Sequence, residues 1–154
     1  MVIKYAFKEN GENMARAYGN SLGISTKQSV EVCSTLRGMP VKKAKELLER
    51  VIVKEQQIEI KRYNRDTAHK KGMAAGKYPI NAAKHILAII KSAESNAKEK
   101  AINTEHLIIK HISAHMASRP SHYGRQKKSV MKRTNIQVVL LADQKKTEKK
   151  EPRQ

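Results

Sequence analysis

The sequence predicts an α+β fold in which helices pack on a small antiparallel sheet and a long β-hairpin protrudes from the body. Three observations predict it. Three segments carry apolar residues at helical spacing, two β-branched runs near the C-terminus read as paired strands, and the turn between those runs lies in a stretch free of carboxylates. With 154 residues, 39% of them hydrophobic, the chain suits one domain with a modest core and no need of disulfide staples. That domain is expected over 1–143, with the hairpin at about 106–142 and a disordered Lys/Glu-rich tail over 144–154.

Residues 2–8 alternate, with Ile3, Tyr5 and Phe7 on one side and Lys4, Ala6 and Lys8 on the other, which is the period of a half-buried strand. Asn10-Gly11 ends it. Ser25, followed three residues later by Gln28, spells a capping box, and Val30, Cys33 and Leu36 continue at helical spacing up to Gly38. Pro40 suits the first turn of a second helix, whose stripe is Val41, Ala44, Leu47, Leu48, Val51 and Ile52. Residues 59–78 lose the period and gather Lys61, Arg62, Arg65, Lys70, Lys71 and Lys77 around Gly72 and Gly76, as a basic connecting loop does. Pro79 opens a third helix, with Ile80, Ala83, Leu87, Ile90, Ala93 and Ala97 toward a core and Lys84, Lys91 and Lys98 opposite.

After Asn103 the composition turns β-branched, with Leu107-Ile108-Ile109 and Ile112 in one run and Ile136 to Leu141 in another. Between them, Ser118-Arg119-Pro120-Ser121-His122-Tyr123-Gly124-Arg125 has the Pro and Gly content of a turn. Roughly fifteen residues per arm at about 3.3 Å each give an arm about 50 Å long, beyond the ~30 Å diameter of a small domain. Its end is therefore expected to stand clear of the body. An isolated two-stranded ribbon is marginal in water, so such an arm needs a partner to order it.

Charge names the kind of partner. Lys and Arg number 32 against 14 Asp and Glu, a net charge of +18, and no carboxylate occurs from His106 to Ala142. A polyanion fits that imbalance. A lone Cys33 excludes an internal disulfide framework and suits a reducing compartment. No stretch approaches the ~18 apolar residues of a membrane span, and the first residues lack a secretory pattern, so the expectation is an intracellular protein with no membrane partner.

Gly72-Met-Ala-Ala-Gly76-Lys77-Tyr78 looks like a phosphate-binding loop, but it is a residue short, has Tyr where the Mg²⁺-binding hydroxyl belongs, and follows no strand. A glycine-containing connector is the better reading. His111 and His115 would share a helix face at metal-ligand spacing, yet along a strand four residues separate side chains by about 13 Å, too far for one ion. No metal or other cofactor is expected. Cys33 lies on an apolar stripe, where a buried, inert thiol is the default. Glu46, Glu49, Glu94 and Glu99 read as solvated helix faces with nearby lysine partners, which leaves no catalytic constellation. Tyr63 and Tyr123 sit inside the basic segments, and either ring can stack on a base. Tyr63 can equally anchor the loop to the core.

At this point the residues resemble a known family: the universal large-subunit ribosomal proteins, twenty-second in the large-subunit series. The carrying segments are Ala15-Arg16-Ala17 leading to Ile24-Ser25, Arg37-Gly38-Met39, Lys61-Arg62-Tyr63-Asn64, Gly76-Lys77-Tyr78-Pro79, Ala93-Glu94-Ser95-Asn96-Ala97 and Tyr123-Gly124-Arg125. The Arg-Tyr-Asn loop and the Ser-Asn-Ala helix end look like the eukaryotic branch, with the archaeal form next. The resemblance implies three helices on a three-stranded antiparallel sheet, with the hairpin lining the nascent-peptide exit tunnel. It also implies large-subunit ribosomal RNA, neighbouring large-subunit proteins and the nascent polypeptide as partners, with no homo-oligomer. The protein would reside on cytoplasmic ribosomes, with nucleolar assembly if eukaryotic.

Charge and resemblance together give the residues expected to bind RNA. They are Arg16 and Lys27 in the body, Lys61, Arg62, Tyr63, Asn64, Arg65, Lys70, Lys71 and Lys77 in the loop, and His122, Tyr123, Gly124, Arg125, Lys127, Lys128, Lys132 and Arg133 in the hairpin. Ala117, Ser118, Arg119 and Pro120 are expected at the tip, facing the tunnel. Two other classes compete. A DNA-bending architectural protein also uses basic β-arms, with Pro120 as a wedge, whereas an RNA-modifying enzyme would need an acid, nucleophile or cofactor loop that the sequence does not offer.

Overall fold

A computed structural model describes residues 5–8 and 13–142. The order of elements is β1 (Met14–Leu22), α1 (Thr26–Leu36), α2 (Val41–Val53), β2 (Ile58–Glu59), β3 (Gly76–Lys77), α3 (Ile80–Glu99), β4 (Leu107–Met116), a 3₁₀ turn (Gly124–Gln126) and β5 (Thr134–Ala142). The fold is α+β, with a three-stranded antiparallel sheet ordered β1-β5-β4 and a separate two-stranded pair, β2-β3.

The helices lie on one face of the sheet. Val32, Cys33 and Leu36 of α1, Ala44, Leu48 and Val51 of α2, and Ile86, Ile90 and Ala93 of α3 meet Ile109, Ile112, Ile136, Val138 and Leu140 in one buried cluster. Val30, expected on the α1 stripe, is only half-buried; Ser29 takes the inward position one residue earlier. Ser25 does sit at the N-cap of α1, but its side chain makes no capping bond. Its carbonyl instead accepts both the Ser29 N–H and the Ser29 hydroxyl, each at 2.9 Å, so the expected capping box does not form. Burial pushes the Cys33 thiol up to about 12, partly offset by Arg37, which keeps it a neutral core side chain.

The first strand is not where alternation placed it. Residues 2–4 of the expected strand lie outside the described residues, and 5–8 belong to no ladder. They cross the outer face of the sheet. The Tyr5 ring meets Tyr18 of β1 edge-on at 6.4 Å, the Ala6 N–H donates to Gln137 Oε1 of β5 at 2.9 Å, and Phe7 stacks on His111 of β4 at 5.6 Å. Alternation therefore reported sidedness correctly, since Tyr5 and Phe7 both contact the sheet, but not hydrogen bonding. The true edge strand, β1, is read poorly because its inward residues are small. Ala15 and Ala17 are buried, and a Cβ on Gly19 would lie 2.4 Å from Ile89 Cδ1, so α3 approaches too closely for larger side chains.

Both outer strands are tied down. On β4, the Gly38 N–H donates to Ile109 O and the Ile109 N–H to Met39 O, each at 2.9 Å, so the α1–α2 connection continues the sheet for a residue or two. On β1, Asn96 Nδ2 of α3 and Nζ of Lys100, the residue that caps α3, donate to the carbonyls of Arg16 and Met14 at 2.7 and 3.1 Å. Glu94, expected to pair within its own helix, instead joins α3 to α2 through Lys45 at 2.9 Å.

The hairpin divides in two. Leu107–Met116 and Thr134–Ala142 are paired inside the body sheet, so only 117–133 project, a shorter free arm than the whole 106–142 stretch implied. Beyond the sheet the ribbon continues through the Ala117 N–H to Arg133 O, Met131 N–H to Pro120 O and His122 N–H to Ser129 O bonds. It closes at the 3₁₀ turn, with Gly124 at φ +61°. This corrects the expected tip. Ala117, Ser118, Arg119 and Pro120 lie along one arm opposite 131–133, and Tyr123 to Lys128 form the end. Pro120 fits there because its carbonyl is the group the ribbon uses and the N–H it lacks is not required.

Candidate nucleic-acid interface

The loop between β2 and β3 is anchored at its base. The Ile58–Glu59 pairing with Gly76–Lys77 was not expected from sequence, which showed 59–78 only as a connector. A Cβ on Gly76 would lie 2.7 Å from Met73 Sδ and 2.8 Å from Lys70 Cγ, so this glycine serves close packing within the loop. The loop also leans on α1. Ile60 is buried, and the Glu31 carboxylate accepts the backbone N–H groups of Lys61 at 3.2 Å and Arg62 at 2.9 Å. Sequence reasoning missed Glu31. The available signal was an acidic residue between Val30 and Val32 on a helix whose neighbours are core.

With the backbone held this way, the loop cations face outward. Lys61, Arg62, Asn64 and Arg65 are exposed, and the Asn64 carbonyl closes the following turn by accepting the Thr67 N–H at 3.0 Å. Tyr63 is not a core anchor, because 58% of its surface is exposed, with the Lys27 ammonium 5.0 Å from its ring centre. Tyr78 anchors instead. Its hydroxyl donates to Gln57 Oε1 at 3.3 Å, and Lys70 lies 5.7 Å from its ring centre. Lys71 is exposed, and its carbonyl accepts from Gln57 Nε2 at 3.1 Å.

The expected RNA-binding residues gather in three places. Lys27, Tyr63, Arg65 and Lys77 line one cleft beside α1. A second hollow, of about 290 Å³, opens where the arm leaves the body, lined by Lys27, Arg119, Lys132 and Arg133 with Ser25, Thr26 and Met116. Arg133 is steadied there by donating to Ser21 Oγ at 3.1 Å. His122, Tyr123, Gly124 and Arg125 form the third group at the end of the arm, where 87% of the Tyr123 surface is exposed. Lys127 and Lys128 follow directly and are exposed. Lys27 belongs to both of the first two groups, so loop and arm base form one continuous basic surface.

Arg16 stands apart. It lies in β1 with its guanidinium 5.2 Å from the Tyr5 ring centre, beneath the N-terminal crossing segment. Desolvation raises the Tyr5 hydroxyl above its ordinary value, and the charge of Arg16 opposes the shift. The histidines of β4 are not gathered around a common centre: Ser113 Oγ and His115 Nε2 are 2.9 Å apart, while His111 stacks on Phe7. Among the described residues no three His, Cys, Asp or Glu side chains could hold a metal ion, and no helix is long and apolar enough to cross a membrane.

The family model described as Ribosomal protein L22p/L17e matches residues 17–141, from β1 through the arm to the end of β5. The chain belongs to this ribosomal protein family. Similar curated relatives carry the name "Large ribosomal subunit protein uL22". That of Methanococcoides burtonii is 35% identical over 90% of this chain and 95% of its own length. That of Methanosphaera stadtmanae is 39% identical over 84% and 89%. The Methanocaldococcus jannaschii protein is 37% identical over 90% and 94%. All three are archaeal, within the eukaryotic-or-archaeal grouping that the loop and helix-end motifs indicated. Members of the L22p/L17e family are structural proteins, not enzymes. Two of the motifs that carried the resemblance now have a mechanical meaning. Asn96 bonds the edge strand, and Arg37 Nη2 donates to Ile112 O of β4 at 3.1 Å, so both help hold the body together.

Proposed function

We propose that the protein is a structural component of the large ribosomal subunit that binds large-subunit ribosomal RNA through its arm and its 61–77 loop. Lys and Arg side chains would neutralise phosphates where RNA segments converge, releasing counterions. The observation that carries this reading is the arm itself. Arg119, Arg125, Lys127, Lys128, Lys132 and Arg133 lie on it, no carboxylate occurs between residues 106 and 142, and every residue from Ser118 to Val130 except His122 is exposed. Such a ribbon has no core of its own and is ordered by what surrounds it.

Within the subunit the arm would reach inward and line the nascent-peptide exit tunnel. Tyr123 to Lys128 would then lie deepest, with Ala117, Ser118, Arg119 and Pro120 along the side of the ribbon. Neighbouring large-subunit proteins would contact the body, and the protein would reside on the ribosome in the cytoplasm as a single copy.

The test is co-sedimentation with the large subunit combined with binding to a large-subunit ribosomal RNA fragment over a salt series. The expected outcome is binding that weakens with salt, with a logarithmic slope of roughly 0.7 to 0.9 per phosphate neutralised. Competition against duplex DNA should favour the folded RNA. Tight bending of duplex DNA without preference for RNA would overturn the reading. For the tunnel, a stalled nascent chain carrying a photo-crosslinker should label the 123–128 segment, and labelling of the body alone would refute the placement.

A further inference from the structure

Three features converge on the turn after β2. Glu31 is the only acidic or basic side chain that is buried among the described residues, with 3% of its surface exposed. Its carboxylate is spent on the N–H groups of Lys61 and Arg62. The next residue, Tyr63, holds φ at +55°, in the left-handed region that a tyrosine rarely adopts. Its ring projects into an open cleft of about 400 Å³ lined by Lys27, Arg65, Asp66, Thr67 and Lys77.

A solvated connector needs none of this. A carboxylate within a basic surface weakens its attraction for phosphates, and a left-handed tyrosine strains the backbone while leaving an aromatic ring in water. A rigid aromatic platform makes use of all three: the carboxylate fixes the turn, the turn sets the ring, and the cleft gives a base room beside it. Lys27 covers one face of the ring, and the exposure of the rest leaves surface for a second planar group. Stacking between aromatic side chains and splayed bases is how proteins read single-stranded RNA, whereas the bases of a duplex are already stacked on each other.

We propose that this cleft seats one unpaired RNA nucleotide, its base stacked on Tyr63 and its phosphate held among Lys27, Arg65 and Lys77. Glu31 is the positioning residue that fixes the turn. Asp66 on the lining opposes a phosphate on its own side and accepts hydrogen bonds from a base edge. The inference rests on the RNA-binding reading above and narrows it to a nucleotide outside a helix.

Two probes test it on the full chain: a short oligouridylate carrying one 2-aminopurine, and a blunt RNA duplex of matched phosphate number with the same base paired. The native protein should quench 2-aminopurine fluorescence in the single strand. Tyr63→Phe should keep both affinity and quenching, while Tyr63→Ala should lower single-strand affinity about tenfold or more and lower duplex affinity by a much smaller factor. Glu31→Gln should lower single-strand affinity by a smaller factor and speed hydrogen exchange at the Lys61 and Arg62 amides. If that variant does not fold, Tyr63→Ala, at an exposed ring, still decides the matter. Equal loss on strand and duplex, or no loss on either, would overturn the inference and leave RNA binding standing. A native protein that binds neither probe at low salt would bring down the RNA-binding reading itself.

Discussion

The two halves of one hairpin are built on opposite principles. Near the body, Ile109, Ile112, Ile136, Val138 and Leu140 are buried under the helices, and β5 runs between two partner strands. Past Met116 and Thr134 the same two chain segments bury almost nothing and hold each other through a few backbone bonds. Side chains that exclude water shape the first half, and exposed side chains, Arg119, Arg125, Lys127, Lys128 and Lys132 among them, occupy the second. Stability and binding should therefore separate along the hairpin, residue by residue.

The largest effect is expected in the buried half. Leu140→Ala should lower the unfolding free energy by about 2 to 5 kcal/mol, measured by chemical denaturation, with RNA affinity unchanged under conditions where the variant remains folded. A polar group at the junction comes next. The Thr134 hydroxyl is fully buried, donates to Ile24 O at 2.9 Å and lies 2.8 Å from Thr26 Oγ1. Thr134→Val should cost about 1 to 3 kcal/mol by leaving those partners unsatisfied. In the projecting half the sign of the comparison reverses. Arg125→Ala or Lys128→Ala should leave the melting temperature in place and reduce the salt slope of RNA binding by about one unit. Equal loss of stability from the Leu140 and Arg125 variants would erase the distinction.

The smallest expected effect is a pH dependence on the outer face of the buried half. His111 lies against Phe7; burial, with Arg37 and His115 nearby, holds its pKa below the ordinary 6.5. The unfolded chain therefore takes up a proton that the native ring resists. Stability should be fully present above about pH 6.5 and decline as the pH falls toward the lowered native value. His111→Gln should flatten that part of the profile in thermal melts followed by circular dichroism.

The three helices were legible because each carries a wide apolar stripe facing one core. The paired β-branched runs were legible for the same reason, since burial on the sheet selects Ile, Val and Leu. β1 was not, because close packing against α3 replaces large side chains with Ala15, Ala17 and Gly19 and so removes the periodic signal. The turn was read as Ser118 to Arg125, which holds part of the true end, but the tip at 117–120 lies on the arm, because only the ladder distinguishes a proline on a ribbon arm from one at its end. At the candidate interface, composition revealed the cations of loop and arm, but Lys27 joining the two groups depends on how α1 sits beside the arm base. Glu31 was hidden for a similar reason: its partners are backbone N–H groups thirty residues away.

The tethered margins of the sheet bear on the protein's life before it reaches any assembly. A small, strongly cationic molecule that exposed bare strand margins would be liable to polymerise with its own copies or to capture nascent chains while awaiting its place. Here one margin is sealed by a passing loop through Gly38 and Met39, and the other by side chains reaching down from a helix and its cap, Asn96 and Lys100. Where these bonds lie, the sheet edge is denied to a second copy of the chain, and the surfaces left open are the loop and the ribbon.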